Sequence, residues 1–296
     1  NQAQKFNWQD YTVHDKVHPN KAGAEKMATV WFEALKKVLA SSETVFSPEI
    51  VRYKTLEDGD SLALHIFKPR NMQAGEKRPA IVYFFGGGWK LGTPIQFYRE
   101  CAYYASKGMV AVSVDYRIGY LHHSTPFESF EDAKDAICWL RSHASDYQLD
   151  PDKIAVAGGS AGGHLAAALG TIGSDETVPA GYRPNLSVLY YPVIDMVSRG
   201  YGFPEIKRDF EKISPIHHVS EATPSTLILL GTKDPIVSVE TIEAYQDKLL
   251  QKGVDCELHL FEGAGHPIFL YRKPLTEEYY KVRKLTDDFL KRQGFL

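Results

Sequence analysis

Cysteine is scarce: a chain of 296 residues carries only Cys101, Cys138 and Cys256. An odd count does not close a disulfide framework, and none of the three sits at metal-ligand spacing. Cys101 and Cys138 fall in helix-like stretches and Cys256 enters a strand, so buried free thiols are expected. Excess charge of either sign is lacking too. A formal net charge of −3 provides no electrostatic pull toward nucleic acid or an anionic membrane. No apolar run reaches the ~20 residues of a membrane-spanning helix, and no signal-peptide pattern is present. Internal repeats and low-complexity tracts are missing. So are a G-x-G-x-x-G fingerprint and a metal-ligand cluster, and the expectation is an enzyme with no cofactor and no metal.

What is present is ordinary for an enzyme-sized α/β chain, with 44% hydrophobic and 24% charged residues. The informative stretch is Ile154-Ala-Val-Ala-Gly-Gly-Ser-Ala-Gly-Gly-His164. Ile154–Ala157 reads as a buried strand, residues 158–162 as a turn, and Gly163–Thr171 as an Ala/Leu-rich helix. This is G-x-S-x-G between a strand and a helix, a nucleophile elbow around Ser160. A serine on a strained turn needs neighbours without bulky Cβ groups. The helix N-terminus behind it offers N–H groups to a developing oxyanion.

Upstream, Ile50–Leu56 and Ser61–Lys68 flank the turn Glu57-Asp-Gly-Asp60 and predict an antiparallel hairpin. Ala80–Phe85 is a continuous apolar run, expected as a central strand buried on both faces. It leads into Gly86-Gly87-Gly88-Trp89. Glycines there let backbone N–H groups face a substrate unobstructed. Gly87 and Gly88 are the candidate oxyanion donors, with Gly86 ranked below them, together with Ala161 after the nucleophile. Pro94–Lys107 reads as a helix, Met109–Val114 as a strand, and Thr125-Pro126 opens a helix through Ser145. Glu128, Glu131, Asp132 and Asp135 lie early in that helix, where its dipole favours negative charge.

Leu186–Tyr190, Thr226–Leu230 and Cys256–Phe261 are further strands, separated by an irregular stretch at 193–224 read as a small cap. Val239–Lys252 and Leu275–Arg292 are helices. Asp234 and His266 each fall just past a strand, as Ser160 does, where open parallel sheets gather their sites. Serine, acid, histidine is the chain order of an α/β-hydrolase triad. Ser160 is then the nucleophile, His266 the base and acid, Asp234 the group that orients the imidazole. Asp195, also beyond a strand, is the alternative acid. His122, His123, His164, His217 and His218 do not follow the last strand.

Gly86-Gly-Gly-Trp89, Asp115-Tyr-Arg117, Gly158-Gly-Ser-Ala-Gly-Gly163, Tyr191-Pro192, Asp234-Pro235 and His266 together resemble the hormone-sensitive-lipase-like branch of α/β-hydrolases, over residues 48–296. The resemblance implies a mostly parallel eight-stranded sheet with helices on both faces and a cofactor-independent serine esterase for short acyl chains. Phe85 stands where that branch usually carries a histidine, so the brace of the glycine loop must differ. The chain is also similar to bacterial acetylxylan and carbohydrate esterases of this branch, which implies an ester of a small molecule or a carbohydrate. Trp89, Tyr116 and Phe269 are the candidate substrate-lining aromatics; Phe97, Tyr201 and Phe203 are further aromatics of the same kind. A serine peptidase or amidase of the same fold, and a binding module without catalysis, are the alternatives.

Residues 1–45 form an N-terminal extension ahead of the catalytic domain at 46–296. Met27, Val30, Trp31, Leu35, Val38 and Leu39 define an amphipathic helix from Asn20 to Ala40. Asp15-x-x-His18-Pro, Asn20-x-x-Gly23 and Met27-Ala-x-x-Trp31 resemble the C-terminal end of an SGNH hydrolase. The expectation is a remnant of an upstream SGNH domain in the parent protein, with Asp15 and His18 inert, and with the helix docked on the main domain or on a second subunit of a homo-oligomer. A bacterial periplasmic or secreted location is expected over the cytoplasm.

Overall fold

The computed structural model describes residues 47–70, 72–173, 181–196, 209–270 and 275–296. The helix expected at Asn20–Ala40, Asp15 and His18, the subunit contact assigned to that helix, Tyr201 and Phe203 lie outside these residues. Within the unit Pro48–Leu296 the strands are β1 (Glu49–Thr55), β2 (Ser61–Phe67), β3 (Arg78–Phe84), β4 (Val110–Val114), β5 (Leu149–Gly159), β6 (Leu186–Tyr190), β7 (Thr226–Gly231) and β8 (Cys256–Phe261). Helices α1 (Tyr98–Ser106), α2 (Gly119–His122), α3 (Pro126–Ser142), α4 (Ala161–Thr171), α5 (Phe210–Ile213), α6 (Val239–Gln251) and α7 (Glu277–Arg292) alternate with them.

The eight strands form one sheet in the order β1-β2-β4-β3-β5-β6-β7-β8. β2 pairs antiparallel with both β1 and β4, and every other pairing is parallel. The expected hairpin and mostly parallel sheet are therefore present. Ala80–Phe85 is completely buried, the condition for a central strand covered on both faces. Parallel pairing aligns the C-terminal ends of β5, β7 and β8 along one edge, so residues far apart in sequence meet there.

Local chemistry sets the helix ends. Thr125 caps α3 through its hydroxyl while Glu128 reaches back to the Thr125 N–H at 2.7 Å, with Pro126 in the first turn. The helix ends at Ser142, short of the expected Ser145. The Pro94–Lys107 helix divides into a 3-10 turn, Pro94–Phe97, and α1.

The structure adds to one expectation and corrects another. Asp132, early in α3 as expected, is fully buried and accepts Arg117 Nε at 2.8 Å and Lys54 Nζ at 2.6 Å. A buried carboxylate needs such partners to remain charged. Cys101 and Cys256 are buried, but Cys138 is exposed. It sits on α3 one residue past the buried pair Ala136-Ile137, where the helix turns its face outward.

Candidate active site

The turn between β5 and α4 presents Ser160 with φ 56° and ψ −118°, a conformation that side chains rarely adopt. Its neighbours make room for it. A Cβ on Gly162 would overlap the Phe84 carbonyl oxygen, so only glycine lets the elbow close on β3. The Ser160 N–H bonds the Tyr190 carbonyl at 3.0 Å and its own carbonyl accepts His164 N–H at 2.9 Å, tying the turn to β6 and to α4.

The structure brings three of the candidate residues together. His266 Nε2 lies 2.8 Å from Ser160 Oγ and His266 Nδ1 2.7 Å from Asp234 Oδ2. With Nδ1 protonated, the imidazole donates to the carboxylate and accepts the serine proton at Nε2. The second oxygen of Asp234 accepts the N–H groups of Ile236 at 2.8 Å and Val237 at 3.0 Å. Burial alone would raise this carboxyl, but the bond from His266 and these two amides outweigh it and hold it below the ordinary carboxylate value. Asp195, the alternative acid, faces His217 at 3.9 Å instead.

The loops carrying Asp234 and His266 are stapled to each other. Lys233 N–H donates to the Ala264 carbonyl at 2.9 Å, and Gly263 N–H to Thr232 Oγ1 at 2.8 Å. Beyond His266, Phe269 packs between Tyr190 and Tyr279, with ring centroids 4.6 and 5.0 Å away.

The glycine loop follows β3. Gly87 has φ 144° and Gly88 φ 63°, and a Cβ on Gly87 would overlap the Leu91 carbonyl. Gly86 N–H donates to Gln96 Oε1 at 2.6 Å, so this N–H is committed to the scaffold and Gly87 and Gly88 remain as candidate donors, with Ala161 at the start of α4. The brace that Phe85 left open is also visible. The Phe85 ring stacks on Tyr116 at 4.0 Å and 14°, and the Tyr116 hydroxyl donates to the Phe85 carbonyl at 2.6 Å.

The three aromatics expected to line a cleft do not do so. Tyr116 is fully buried as part of that brace, and Phe269 is 3% exposed between two tyrosines. Trp89, 2% exposed, meets the His164 ring in a T-shaped contact, 5.0 Å away at 86°. Aromatics at strand ends bury large apolar areas, and here that packing takes all three. Three neighbours were not singled out from sequence as parts of the site. Gln96 carries no motif. Tyr191, whose ring lies 4.8 Å from His266, was part of the Tyr191-Pro192 motif but carried no assigned role. His164 is fully buried, with Nε2–H donating to the Ile213 carbonyl at 2.7 Å, and burial lowers its pKa to about 4.

Among the described residues no cluster of His, Cys, Asp or Glu suits a metal ion, and no helix is long and apolar enough to cross a membrane. The arrangement is a chain of hydrogen bonds from a serine hydroxyl through an imidazole to a carboxylate.

Residues 64–208 match the family model BD-FAE. A thermophilic esterase from the planctomycete Thermogutta terrifontis is 36% identical and superposes with a TM-score of 0.78, covering 84% of this chain and 94% of that one. The same esterase has been solved with propionate bound, with butyrate bound, and phosphorylated by paraoxon. Esterase LipC of Mycobacterium tuberculosis is 28% identical over 241 residues, 71% of this chain and 57% of that protein. An acetylxylan esterase of Xylanibacter ruminicola is 26% identical over 227 residues, 71% of this chain and 44% of its own. The chain thus spans about half the length of these last two relatives. Its sheet order, its matched family model and its likeness to the Thermogutta enzyme over nearly that enzyme's whole length agree: the chain belongs to the esterases of the α/β-hydrolase fold.

Proposed function

We propose that this chain hydrolyses short-chain carboxylic esters through an acyl-enzyme on Ser160. The observation that carries the reading is the continuous relay from Ser160 Oγ through His266 to Asp234, at 2.8 and 2.7 Å. A serine hydroxyl is a weak nucleophile at neutral pH, and a base within hydrogen-bond reach removes that obstacle. Oγ attacks the ester carbonyl carbon as its proton passes to His266 Nε2. The carbonyl oxygen becomes an oxyanion facing the N–H groups of Gly87, Gly88 and Ala161. His266 then returns the proton to the departing alcohol oxygen, leaving the acyl group on Ser160. Water, deprotonated by the same imidazole, attacks the acyl carbon and releases the carboxylic acid. Asp234 stays ionised throughout and stabilises the imidazolium.

Short acyl chains are supported by the propionate and butyrate seen in the Thermogutta esterase, and acetylated xylan by the likeness to the Xylanibacter enzyme. The test is acetate release from acetylated xylan beside p-nitrophenyl acetate and butyrate, with the wild-type chain and Ser160→Ala. Release from all three that disappears in the variant is expected. Hydrolysis of the small esters alone would remove the polysaccharide from the reading. Activity persisting in Ser160→Ala would remove the nucleophile.

A further inference from the structure

Tyr191, like Ser160, has a strained backbone. Its φ of 39° lies in the left-handed region, where a bulky side chain is an outlier. Strain of this kind persists only where the surroundings impose it, and it gathers at functional sites. Here three segments impose it. Tyr191 N–H donates to the Leu229 carbonyl at 2.7 Å, on the strand β7 that leads to Asp234. Val193 N–H donates to the Ser160 carbonyl at 3.4 Å, tying the chain beyond Pro192 to the elbow. Pro192 packs on the first turn of α4, its Cα 2.9 Å from where a Cβ on Gly163 would lie. The ring that this backbone presents is 4% exposed and touches both ends of the reacting pair. A Cβ on Gly159, the residue before the nucleophile, would fall 2.6 Å from the Tyr191 hydroxyl and 2.9 Å from its Cζ. The same ring meets the His266 imidazole in a T-shaped contact, with centroids 4.8 Å apart at 64°. Burial of apolar area alone gives no reason to keep a tyrosine where glycine or asparagine is unstrained.

We propose that Tyr191 is a positioning residue for His266, a wall that keeps the imidazole aimed at the acyl carbon once Ser160 is acylated; the role rests on the esterase reading above. Before the reaction two hydrogen bonds fix the imidazole, one from Ser160 Oγ to Nε2 and one from Nδ1 to Asp234. In the acyl-enzyme the first is gone. The esterified Oγ has no proton to donate, and Nε2 of an imidazole protonated at Nδ1 has none either. The bond to Asp234 then holds the ring at one end only. The Tyr191 ring, buried and anchored through its backbone, closes one side of the remaining swing with an aromatic contact. Deacylation depends on that placement. The water oxygen bonds to the acyl carbon as its proton passes to Nε2, and Oγ takes the proton back as the carboxylic acid leaves. A misplacement of about 1 Å in such a step can cost ~10²-fold.

The experiment is stopped-flow hydrolysis of p-nitrophenyl acetate by the wild-type chain, Tyr191→Leu and Tyr191→Phe. The burst of p-nitrophenol reads acylation, and the steady state that follows reads deacylation. Tyr191→Leu should slow deacylation roughly tenfold and acylation by no more than about twofold. With deacylation limiting, kcat and KM then fall together and kcat/KM is nearly kept. Tyr191→Phe retains the ring and should retain both rates. An equal loss in the two steps marks a general distortion and overturns the proposal. So does Tyr191→Phe as slow as Tyr191→Leu, or no change in either variant. Labelling of Ser160 by a fluorophosphonate needs no deacylation, so Tyr191→Leu should label at nearly the wild-type rate. Loss of that labelling shows that the ring is needed in the free enzyme and overturns its restriction to the acyl-enzyme. A wild-type chain that neither hydrolyses the ester nor takes the label overturns the esterase reading itself.

Discussion

Gln96 holds the glycine loop by accepting the Gly86 N–H at 2.6 Å. The bond fixes the first of three flexible residues, and the next two are the candidate oxyanion donors. Gln96→Leu removes the acceptor and leaves a buried N–H unmatched. Turnover should fall by about 10- to 100-fold, less than the ~10²–10³ of losing a donor outright. KM should change little, since a loop out of register fails mainly the transition state. Gln96→Glu keeps an acceptor at the same place and should recover most of the loss, which a purely structural role in folding would not distinguish from Gln96→Leu. Steady-state kinetics on p-nitrophenyl acetate with both variants is the check.

Asp234→Asn should lower kcat on the order of 10⁴-fold by presenting the wrong hydrogen-bonding group to His266 Nδ1. The same substitution has a pH signature. The folded protein holds Asp234 below its ordinary value, so its ionised form stabilises the fold above the unfolded carboxylate pKa, about 3.9. That contribution is lost as pH falls further through the folded value. Melting curves of wild type and Asp234→Asn should accordingly converge as pH drops below about 4 and separate above it.

His164 acts with the same sign in a higher pH window. Its folded pKa is about 4 against 6.5 for the free imidazole, because burial disfavours the charged ring. The unfolded chain therefore binds more protons between those values, and stability declines as pH falls from about 6.5 toward 4. His164→Asn retains a donor toward the Ile213 carbonyl and carries no titrating group. Its Tm should be flatter than the wild type's across that interval.

Cys138 should react first with a thiol reagent in the native state, leaving Cys101 and Cys256 untouched until the fold opens. Burial pushes the Cys256 thiol up to about 12, and Cys101 well above its ordinary value, so neither offers a thiolate. Mass spectrometry after brief maleimide treatment should find one adduct, on the peptide containing residue 138.

Much of the frame was legible because it rests on local rules. Alternation and turn residues at Glu57–Asp60 marked the hairpin, Thr125-Pro126 marked the start of α3, and the glycines around Ser160 marked a turn that bulky residues forbid. The order of Ser160, Asp234 and His266 was legible because each sits just past the C-terminal end of a strand. What could not be read was packing. Tyr116, Trp89 and Phe269 look alike in sequence whether they face solvent or core, and their burial is set by partners such as Phe85 and Tyr279 that lie far away in the chain. Gln96 likewise owes its position to a tertiary contact, and no local pattern announces it.

His266 is borne by the loop after β8, and β8 is an edge strand, bonded to β7 alone. A terminal strand can peel from one neighbour while the remainder of the sheet stays paired. Such fraying would carry the imidazole away from Ser160 with most of the core intact. Catalysis therefore monitors one margin of the sheet, and in a denaturant titration it should fail before far-UV circular dichroism reports loss of the sheet.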